Sequence, residues 1–290
     1  MATAQRAFAQ VDVFSSGPFS GNPVAVVLDG DGLITEQMQR FANWTNLSET
    51  TFVCTPTDPS ADYLLRIFTP HAELPFAGHP TLGSAAAWLQ SGRSPQGTNI
   101  IQECGAGLVR IRRAGDDLAF AAPPLLRSGS LDADTLRCAA ASLGLEPSDV
   151  VASAWVDNGP GWLGLLLNSG ERVRELQPDF ALMGQLAVGV IGPYPDGSAS
   201  SPDYEVRAFA PGLGVPEDPV TGSLNAGLAV WLRELGVAQD RYLVAQGAAL
   251  GRAGLVRIDD ERNTIWVGGA SAITITGTVQ MPTTVQMPTW

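Results

Sequence analysis

The two histidines of the chain, His71 and His79, lie in one short segment, and His79 is placed for acid–base chemistry. His79 immediately precedes Pro80, and Asp218 immediately precedes Pro219 at a matching point in the second half of the chain. Imidazole has an unperturbed pKa of about 6.5, so it can take up and release a proton near neutral pH. The two residues are therefore candidates for proton transfer. The alternatives are a surface histidine and an aspartate that caps a helix.

Glu49 is a third candidate, because it lies between a predicted helix and a predicted strand. A carboxylate that is partly desolvated in a closed cleft has a raised pKa, nearer to the pH at which an enzyme works. Moving a proton next to a carboxylate, or along a conjugated system, needs a base that can return the proton. Glu49 could be that base, and the alternative is a solvated loop residue.

Small residues at two predicted helix starts indicate an anion-binding site. Gly78 and Thr81 stand at the first start, and Thr221, Gly222 and Ser223 stand at the second. Free backbone N–H groups at helix N-termini bind anions, so the predicted ligand is a small molecule with a carboxylate. No GxGxxG motif follows a strand, and the three cysteines have no metal-binding spacing. Neither a metal nor a cofactor is expected.

An internal duplication places these residues in two related units. Residues 62–75 (DYLLRIFTPHAELP) align with residues 203–216 (DYEVRAFAPGLGVP), and Asp, Tyr, Arg, Phe and two Pro are shared. A gap of two residues in the second copy then aligns Pro80 with Pro219. A repeat of half the chain length indicates one duplication rather than a solenoid.

The duplication predicts two pseudo-symmetric domains, residues 1–122 and 123–290. The boundary is placed at Pro123 because proline cannot continue a strand ladder, and the last strand can return to the first domain. On this alignment His79 and Asp218 occupy equivalent positions, so they face each other if the domains do.

Each copy has the pattern of a strand, a Pro/Gly-rich loop and an apolar helix. Helices are predicted at Thr35–Thr45, with Thr35 as its cap, and at residues 80–90 and 219–235, each with a proline in first position. The fold class is α+β: a curled sheet or barrel around a central helix, built twice. Strands are predicted at residues 7–14, 24–28, 51–54, 63–69, 99–103, 108–112, 118–121, 162–167, 204–210, 256–258, 264–267 and 272–279.

Composition excludes several classes of protein. With 45% apolar and 16% charged residues, the chain is neither disordered nor a typical helical bundle. Its net charge of −12 excludes a basic surface for nucleic acid or an anionic membrane. No membrane span and no secretion signal are found, so a cytoplasmic protein is expected. The repeated VQMPT at the C-terminus is expected to be a frayed tail without function.

Four motifs closely resemble those of the phenazine-biosynthesis PhzF-like proteins. They occur in the family's order: GNPVAV at residues 21–26, NLSETTF at 46–52, RIFTP with ELPFAGHPTLG between 66 and 83, and EDPVTGS at 217–223. The resemblance spans essentially the whole chain. It implies the diaminopimelate-epimerase-like fold, with the active site in a cleft between the two domains.

The resemblance also implies a cofactor-independent isomerase. The phenazine enzyme isomerises trans-2,3-dihydro-3-hydroxyanthranilate by moving a proton. By motif match, Glu49 is the implied acid and base, assisted by His79 and Asp218. Substrate binding is assigned to Gly78, Gly222, Ser223, Thr221 and Asn22.

Two other functions stay open at this point. One is an epimerase or racemase in which His79 and Asp218 act as opposed bases, and the other is a non-catalytic carboxylate-binding protein. Family racemases use two cysteines where this chain has His79 and Asp218, which disfavours a two-thiol racemase. The expected partners are a small-molecule carboxylic acid and a second copy of the chain in a homodimer, without nucleic acid or membrane.

Overall fold

The computed structural model describes residues 3–115, 117–195, 201–261 and 264–282. Within these ranges the strands form one hydrogen-bonded sheet of 18 strands. They are β1 (Thr3–Val13), β2 (Asn22–Val27), β3 (Glu49–Cys54), β4 (Tyr63–Phe68), β5 (Glu73–Leu74), β6 (Ile100–Cys104), β7 (Gly107–Ala114), β8 (Asp117–Ala121), β9 (Arg127–Gly129), β10 (Ala152–Asp157), β11 (Trp162–Leu166), β12 (Ala187–Pro193), β13 (Tyr204–Ala210), β14 (Val215–Asp218), β15 (Arg241–Gln246), β16 (Gly254–Glu261), β17 (Thr264–Gly269) and β18 (Ser271–Pro282). The helices are α1 (Thr35–Thr45), α2 (Gly78–Gln90), α3 (Ala133–Ala141), α4 (Gly170–Glu175), α5 (Phe180–Met183) and α6 (Gly222–Leu235), with 3₁₀ turns at Pro147–Asp149, Pro211–Leu213 and Ala248–Leu250.

The strands fall into two sets with the same order of neighbours. The first set runs β18, β1, β2, β3, β4, β6, β7, β8, and the second runs β9, β10, β11, β12, β13, β15, β16, β17. In both sets the third and fourth strands are parallel, and so are the fifth and sixth. An antiparallel pair, β8 with β17, joins the two sets.

The last strand lies in the first set. β18 pairs with β1 along its length. It therefore occupies the position in the first set that β9, which pairs with β10, occupies in the second set. The repeated order of neighbours is the structural form of the duplication. The division of the chain at residue 122 stays a prediction.

Each set of strands curls around one helix, α2 or α6. Eight consecutive residues at the start of each helix are buried, Gly78–Ala85 and Gly222–Ala229, so these turns are surrounded by protein on every side. Leu82 of α2 and Leu224 of α6 are fully buried. The predicted α+β architecture, a curled sheet around a central helix built twice, is confirmed.

Strand pairing corrects the alignment of the two copies. Leu74 pairs with Ile67, and Asp218 pairs with Ala208. Ile67 and Ala208 are counterparts at an offset of 141 residues, whereas Leu74 and Asp218 are 144 apart. The second copy is therefore three residues longer in this loop, not two shorter. The match of Pro75 with Pro216 concealed the gap, because at an offset of 144 residues Pro75 corresponds to Pro219 instead.

The helix starts also differ from the prediction. α2 begins at Gly78, so Pro80 is its third residue, and α6 begins at Gly222, three residues after Pro219. Neither proline occupies the first helical position. Pro80 nevertheless lies in the first turn of α2, where its missing backbone N–H costs no hydrogen bond, because the first N–H groups of a helix have no partner within the helix.

Helix α1 has the predicted bounds, but its cap is a different residue. Ile34 is the N-cap, and its backbone N–H donates to the Gln37 side chain at 3.1 Å. Thr35 Oγ1 instead accepts a hydrogen bond from Arg66 Nη2 at 2.9 Å. Thr35 is itself the first residue of the helix, so it lies one position beyond the cap.

The first VQMPT repeat is not a frayed tail. Its residues 279–282 form the end of β18 beside β1, and Met281 is buried. The second repeat lies outside the described residues. Among the described helices, none is both long and apolar enough to cross a bilayer.

Candidate active site

The N-termini of α2 and α6 meet between the two halves of the molecule. A Cβ atom added to Gly78 would lie 2.7 Å from Gly222 Cα, and one added to Gly222 would lie 2.9 Å from Gly78 Cα. Only glycine allows this approach. The first N–H groups of both helices are unpaired within their helices, and both helix dipoles point their positive ends at one place.

His79 and Glu49 meet beside this junction. His79 is the second residue of α2, and Glu49 is the first residue of β3, which runs parallel to β2. Their Nε2 and Oε2 atoms are 3.2 Å apart, and the side chains are 4% and 14% exposed. Neither of these two atoms has an aligned hydrogen-bond partner among the described residues. The two atoms are therefore close together, and a small movement of either side chain would align them as a hydrogen bond.

Asp218 reaches the same place from the second half, at the end of β14. Thr221 Oγ1 donates to Asp218 Oδ2 at 2.6 Å, and Asn22 Nδ2 donates to Oδ1 at 2.8 Å. Gln246 Nε2 donates to the Asp218 carbonyl and to Thr221 Oγ1. Both carboxylate oxygens are thus held by donors. The short strand itself is anchored by the buried ion pair of Arg207 with Glu217.

Ser223 is the second residue of α6, which makes it the counterpart of His79. Its Oγ accepts a hydrogen bond from Trp162 Nε1 at 3.1 Å, and its carbonyl accepts one from Asn158 Nδ2 at 2.8 Å. Because the indole occupies one acceptor position, the hydroxyl proton of Ser223 is free to point toward a ligand.

Asn22 lies behind the cavity rather than on its wall. The side chain is fully buried, and its Nδ2 atom is within 3.2 Å of acceptors on His79, Asp218 and Val220. The other seven predicted site residues, namely Glu49, Gly78, His79, Asp218, Thr221, Gly222 and Ser223, all line one cavity.

Burial shifts the protonation of all three candidate acid–base groups. Desolvation, followed by the charge of Asp218, holds the pKa of Glu49 well above its usual value. Desolvation raises the pKa of Asp218 to about 6, against the opposing effect of its bonds from Thr221 and Asn22. Desolvation lowers the pKa of His79 to about 3, so the imidazole is neutral at pH 7. Glu49 therefore favours its protonated form, with a neutral histidine beside it.

The cavity has a polar end and an apolar wall, and none of the wall residues was among the predicted site residues. Its residues come from loops and strand ends of both halves, where no sequence period marks them: Leu74, Phe76, Pro160, Trp162, Leu213 and Val215. The cavity volume is about 50 Å³. A water molecule takes up about 30 Å³ in the liquid, so this volume is smaller than a ring-sized ligand.

His79 and Asp218 converge although they are not counterparts in the duplication. One nitrogen, Asn22 Nδ2, contacts His79 Nδ1 at 3.2 Å and Asp218 Oδ1 at 2.8 Å. The two side chains thus meet at one buried amide. Their equivalence in the duplication is wrong, and their facing each other across the cleft stays a prediction. Among the described residues, no group of three or more His, Cys, Asp and Glu side chains is arranged to hold a metal ion.

Comparison with known proteins agrees with this architecture. The family model of phenazine biosynthesis-like proteins (PhzC-PhzF) matches residues 11–278. The chain belongs to this family. It is 38% identical to Antisense-enhancing sequence 1 of Schizosaccharomyces pombe, over 94% of this chain and 98% of that protein.

Two further relatives extend the comparison to function and structure. Trans-2,3-dihydro-3-hydroxyanthranilate isomerase of Pseudomonas chlororaphis is 34% identical, over 85% of this chain and 87% of its own length. The crystal structure of a PhzF family protein from Enterococcus faecalis matches with a TM-score of 0.77 at 26% identity, covering 95% of this chain and 99% of that one. The predicted family is confirmed, and the chain is an isomerase of this family.

Proposed function

We propose that this isomerase moves a proton on a small unsaturated or amino carboxylic acid, with Glu49 as acid and base and with His79 and Asp218 assisting. The observation that carries the proposal is the convergence of these three side chains on one cavity where two helix N-termini meet. Binding of an anion is favoured at that junction, and proton transfer is favoured beside it.

The substrate carboxylate binds at the N-termini of α2 and α6. Backbone N–H groups of Gly78 and Gly222 and the hydroxyl of Ser223 are its donors, and the helix dipoles add to the attraction. The same donors stabilise the charge that spreads onto the carboxylate when a carbon in conjugation with it loses a proton. The remaining body of the substrate lies against the apolar wall.

In its ionised form Glu49 takes the proton from carbon, and the resulting acid returns a proton to a different carbon. The electron pair of the broken C–H bond moves into the conjugated system, so the double bond shifts and no electrons leave the substrate. Because burial raises the pKa of Glu49, its carboxylate is a stronger base than a solvated one, and the resulting acid is the favoured form. Neutral His79, with its Nε2 at 3.2 Å from Glu49 Oε2, is placed to position the carboxyl group during the transfer.

Deuterium uptake tests the proposal. The acid named for the Pseudomonas relative, trans-2,3-dihydro-3-hydroxyanthranilate, and a panel of small unsaturated carboxylic acids are incubated with the enzyme in D₂O. We expect the product to carry deuterium at the carbon that receives the proton. Glu49→Gln should lose turnover by about 10²–10⁴-fold, the range for a general acid or base, while its melting temperature is kept.

Glu36→Gln is the matched control, since the same change is made on the exposed first turn of α1. Its turnover should equal that of the wild type. Persistent exchange and turnover in Glu49→Gln would exclude Glu49 as the base. Product free of deuterium would argue against proton exchange with solvent through Glu49.

The alternatives have less support. Epimerisation by opposed bases needs His79 and Asp218 on opposite sides of a carbon, whereas both contact the nitrogen of Asn22. Inversion at one carbon without a shift of the double bond would be its signature. A purely binding role is disfavoured because curated relatives are named isomerases.

Two further properties stay predictions. A two-fold homodimer is expected on the base rate for soluble proteins, and sedimentation of the purified chain tests it. A cytoplasmic location is expected from the sequence, and cell fractionation tests it.

A further inference from the structure

The amide group of Asn22 connects the two halves of the active site. Asn22 is the first residue of β2, and its side chain is fully buried. Its Nδ2 atom lies 2.8 Å from Asp218 Oδ1, 3.0 Å from the Val220 carbonyl and 3.2 Å from His79 Nδ1. A primary amide has two protons for these three acceptors, so the donors are shared.

This arrangement selects one tautomer of His79. Its Nδ1 atom faces the NH₂ group of Asn22, which can only donate, so Nδ1 must be the unprotonated, accepting nitrogen. A neutral imidazole carries one proton, which must then be on Nε2. Nε2 is the atom that lies 3.2 Å from Glu49 Oε2. Asn22 therefore places the proton of His79 on the nitrogen that lies nearest to the proposed base, although these two atoms are not aligned as a hydrogen bond.

The same amide group distributes the charge between the two carboxyl groups. Asp218 receives donors at both oxygens, from Asn22 and Thr221, while Glu49 Oε2 is buried and receives none. Hydrogen bonds to the charged form favour it, so the negative charge belongs on Asp218 and the proton on Glu49. The other charged group near Asp218 is Glu217, which Arg207 pairs.

We propose that Asn22 is a positioning residue that sets the tautomer of His79 and holds the negative charge on Asp218 without touching the substrate. The inference deepens the proposed function and rests on it for the roles of His79 and Asp218. A substrate-binding role, which the motif suggests, is less consistent with a side chain behind the cavity wall.

Nitrogen NMR of the wild-type protein tests the tautomer directly. Histidine is labelled with ¹⁵N, and the chain has only two histidines, so His71→Gln assigns both signals. At pH 7 we expect His79 to be neutral, with an unprotonated Nδ1 and a proton on Nε2. A proton on Nδ1 would overturn the proposal. This measurement needs neither turnover nor an altered active site, so it stands even if no tested acid reacts.

Two substitutions of Asn22 separate positioning from simple structural support. Asn22→Asp replaces the NH₂ donor with an acceptor of the same shape, so the proton of His79 should move to Nδ1. Asn22→Leu removes one donor from Asp218, so the acidic limb of the kcat/KM profile should move to higher pH. Activity should fall by about 10–100-fold, as found for the outer hydrogen-bond partners of catalytic metal ligands.

Asn158→Asp and Asn158→Leu are the matched controls. Asn158 is also a buried asparagine, it donates through Nδ2 to the Ser223 carbonyl, and its Oδ1 is likewise unpaired among the described residues. These variants should lose stability, but His79 should keep its wild-type tautomer and the acidic limb of the kcat/KM profile should stay at its wild-type pH. If they change both as the Asn22 variants do, or if folded Asn22→Asp keeps the Nε2 proton, the positioning role is refuted.

Discussion

Adding one methyl group at the helix junction should lower the stability and activity of this enzyme, although helix propensity alone predicts a gain in stability. In Gly78→Ala the new Cβ would lie 2.7 Å from Gly222 Cα, 2.8 Å from Gly222 C and 2.9 Å from Phe120 Cζ. Carbon atoms pack favourably at about 3.5–4.0 Å, so the helix ends must separate by roughly 0.8 Å or more. Alanine at a free helix position would instead stabilise the protein by up to about 1 kcal/mol.

The net effect can be worked out from these two terms. Overpacking of a core costs about 1–3 kcal/mol, and the upper part of this range, about 2–3 kcal/mol, applies here because the new Cβ meets backbone atoms of Gly222 that cannot rotate away. After subtraction of the propensity gain, a loss of about 1–2 kcal/mol remains. For a chain of this size we expect the melting temperature to fall by about 2–8 °C. A displacement near 1 Å of the substrate donors should also lower kcat/KM by about 100-fold.

Thermal unfolding of Gly78→Ala and of the control Gly97→Ala checks the prediction. Gly97 has no atom near its added Cβ, so its variant should stay within about 0.5 kcal/mol of the wild type. If Gly78→Ala proves as stable as the control, the two helix ends do not touch. The anion site built on their contact would then be wrong.

Two further predictions concern buried charges. Burial lowers the pKa of His79 to about 3, below its unfolded value of about 6.5. Because the unfolded chain then takes up a proton that the folded protein does not, the contribution of neutral His79 to stability is complete above pH 6.5 and is lost as the pH falls toward 3. Urea titrations should therefore show a smaller loss over this interval for His79→Gln, and an equal loss would contradict the shift. Arg207→Leu should cost about 3–5 kcal/mol because it leaves Glu217 buried without its partner, whereas Arg66→Leu breaks the more exposed pair with Glu73 and should cost about 1 kcal/mol or less. Similar losses for the two arginine variants in the same urea assay would refute the difference in burial.

Local patterns in the sequence were sufficient for much of the fold. The helix Thr35–Thr45 and the strand Tyr204–Ala210 have the predicted bounds, because an amphipathic or alternating pattern depends on nearest neighbours. Short strands without a clear pattern were missed, among them β9, β10 and β14. Pairing with neighbouring strands, rather than local propensity, stabilises such segments.

The gap in the alignment of the two copies could not be predicted correctly from the sequence. The match of Pro75 with Pro216 carried the offset of 141 residues past the loop that leads to α2 and α6. The sequence alignment then gave an offset of 139 after the loop, whereas the structure gives 144. Strand pairing at Leu74 and Asp218 decides it, since hydrogen-bond register relates residues that are far apart in the chain. The equivalence of His79 and Asp218 was inferred from that gap, so this inference was wrong as well.

The sequence by itself determined the family, the curled-sheet architecture and the residue types that can move a proton. These follow from motifs and periodicities that are written along the chain. Only the tertiary structure decided that Glu49 and His79 touch, that Asn22 lies behind them, and that Asp218 joins them from the other half. The protonation of these groups depends on burial and on donors from distant segments, so it exists only once the two halves have packed together.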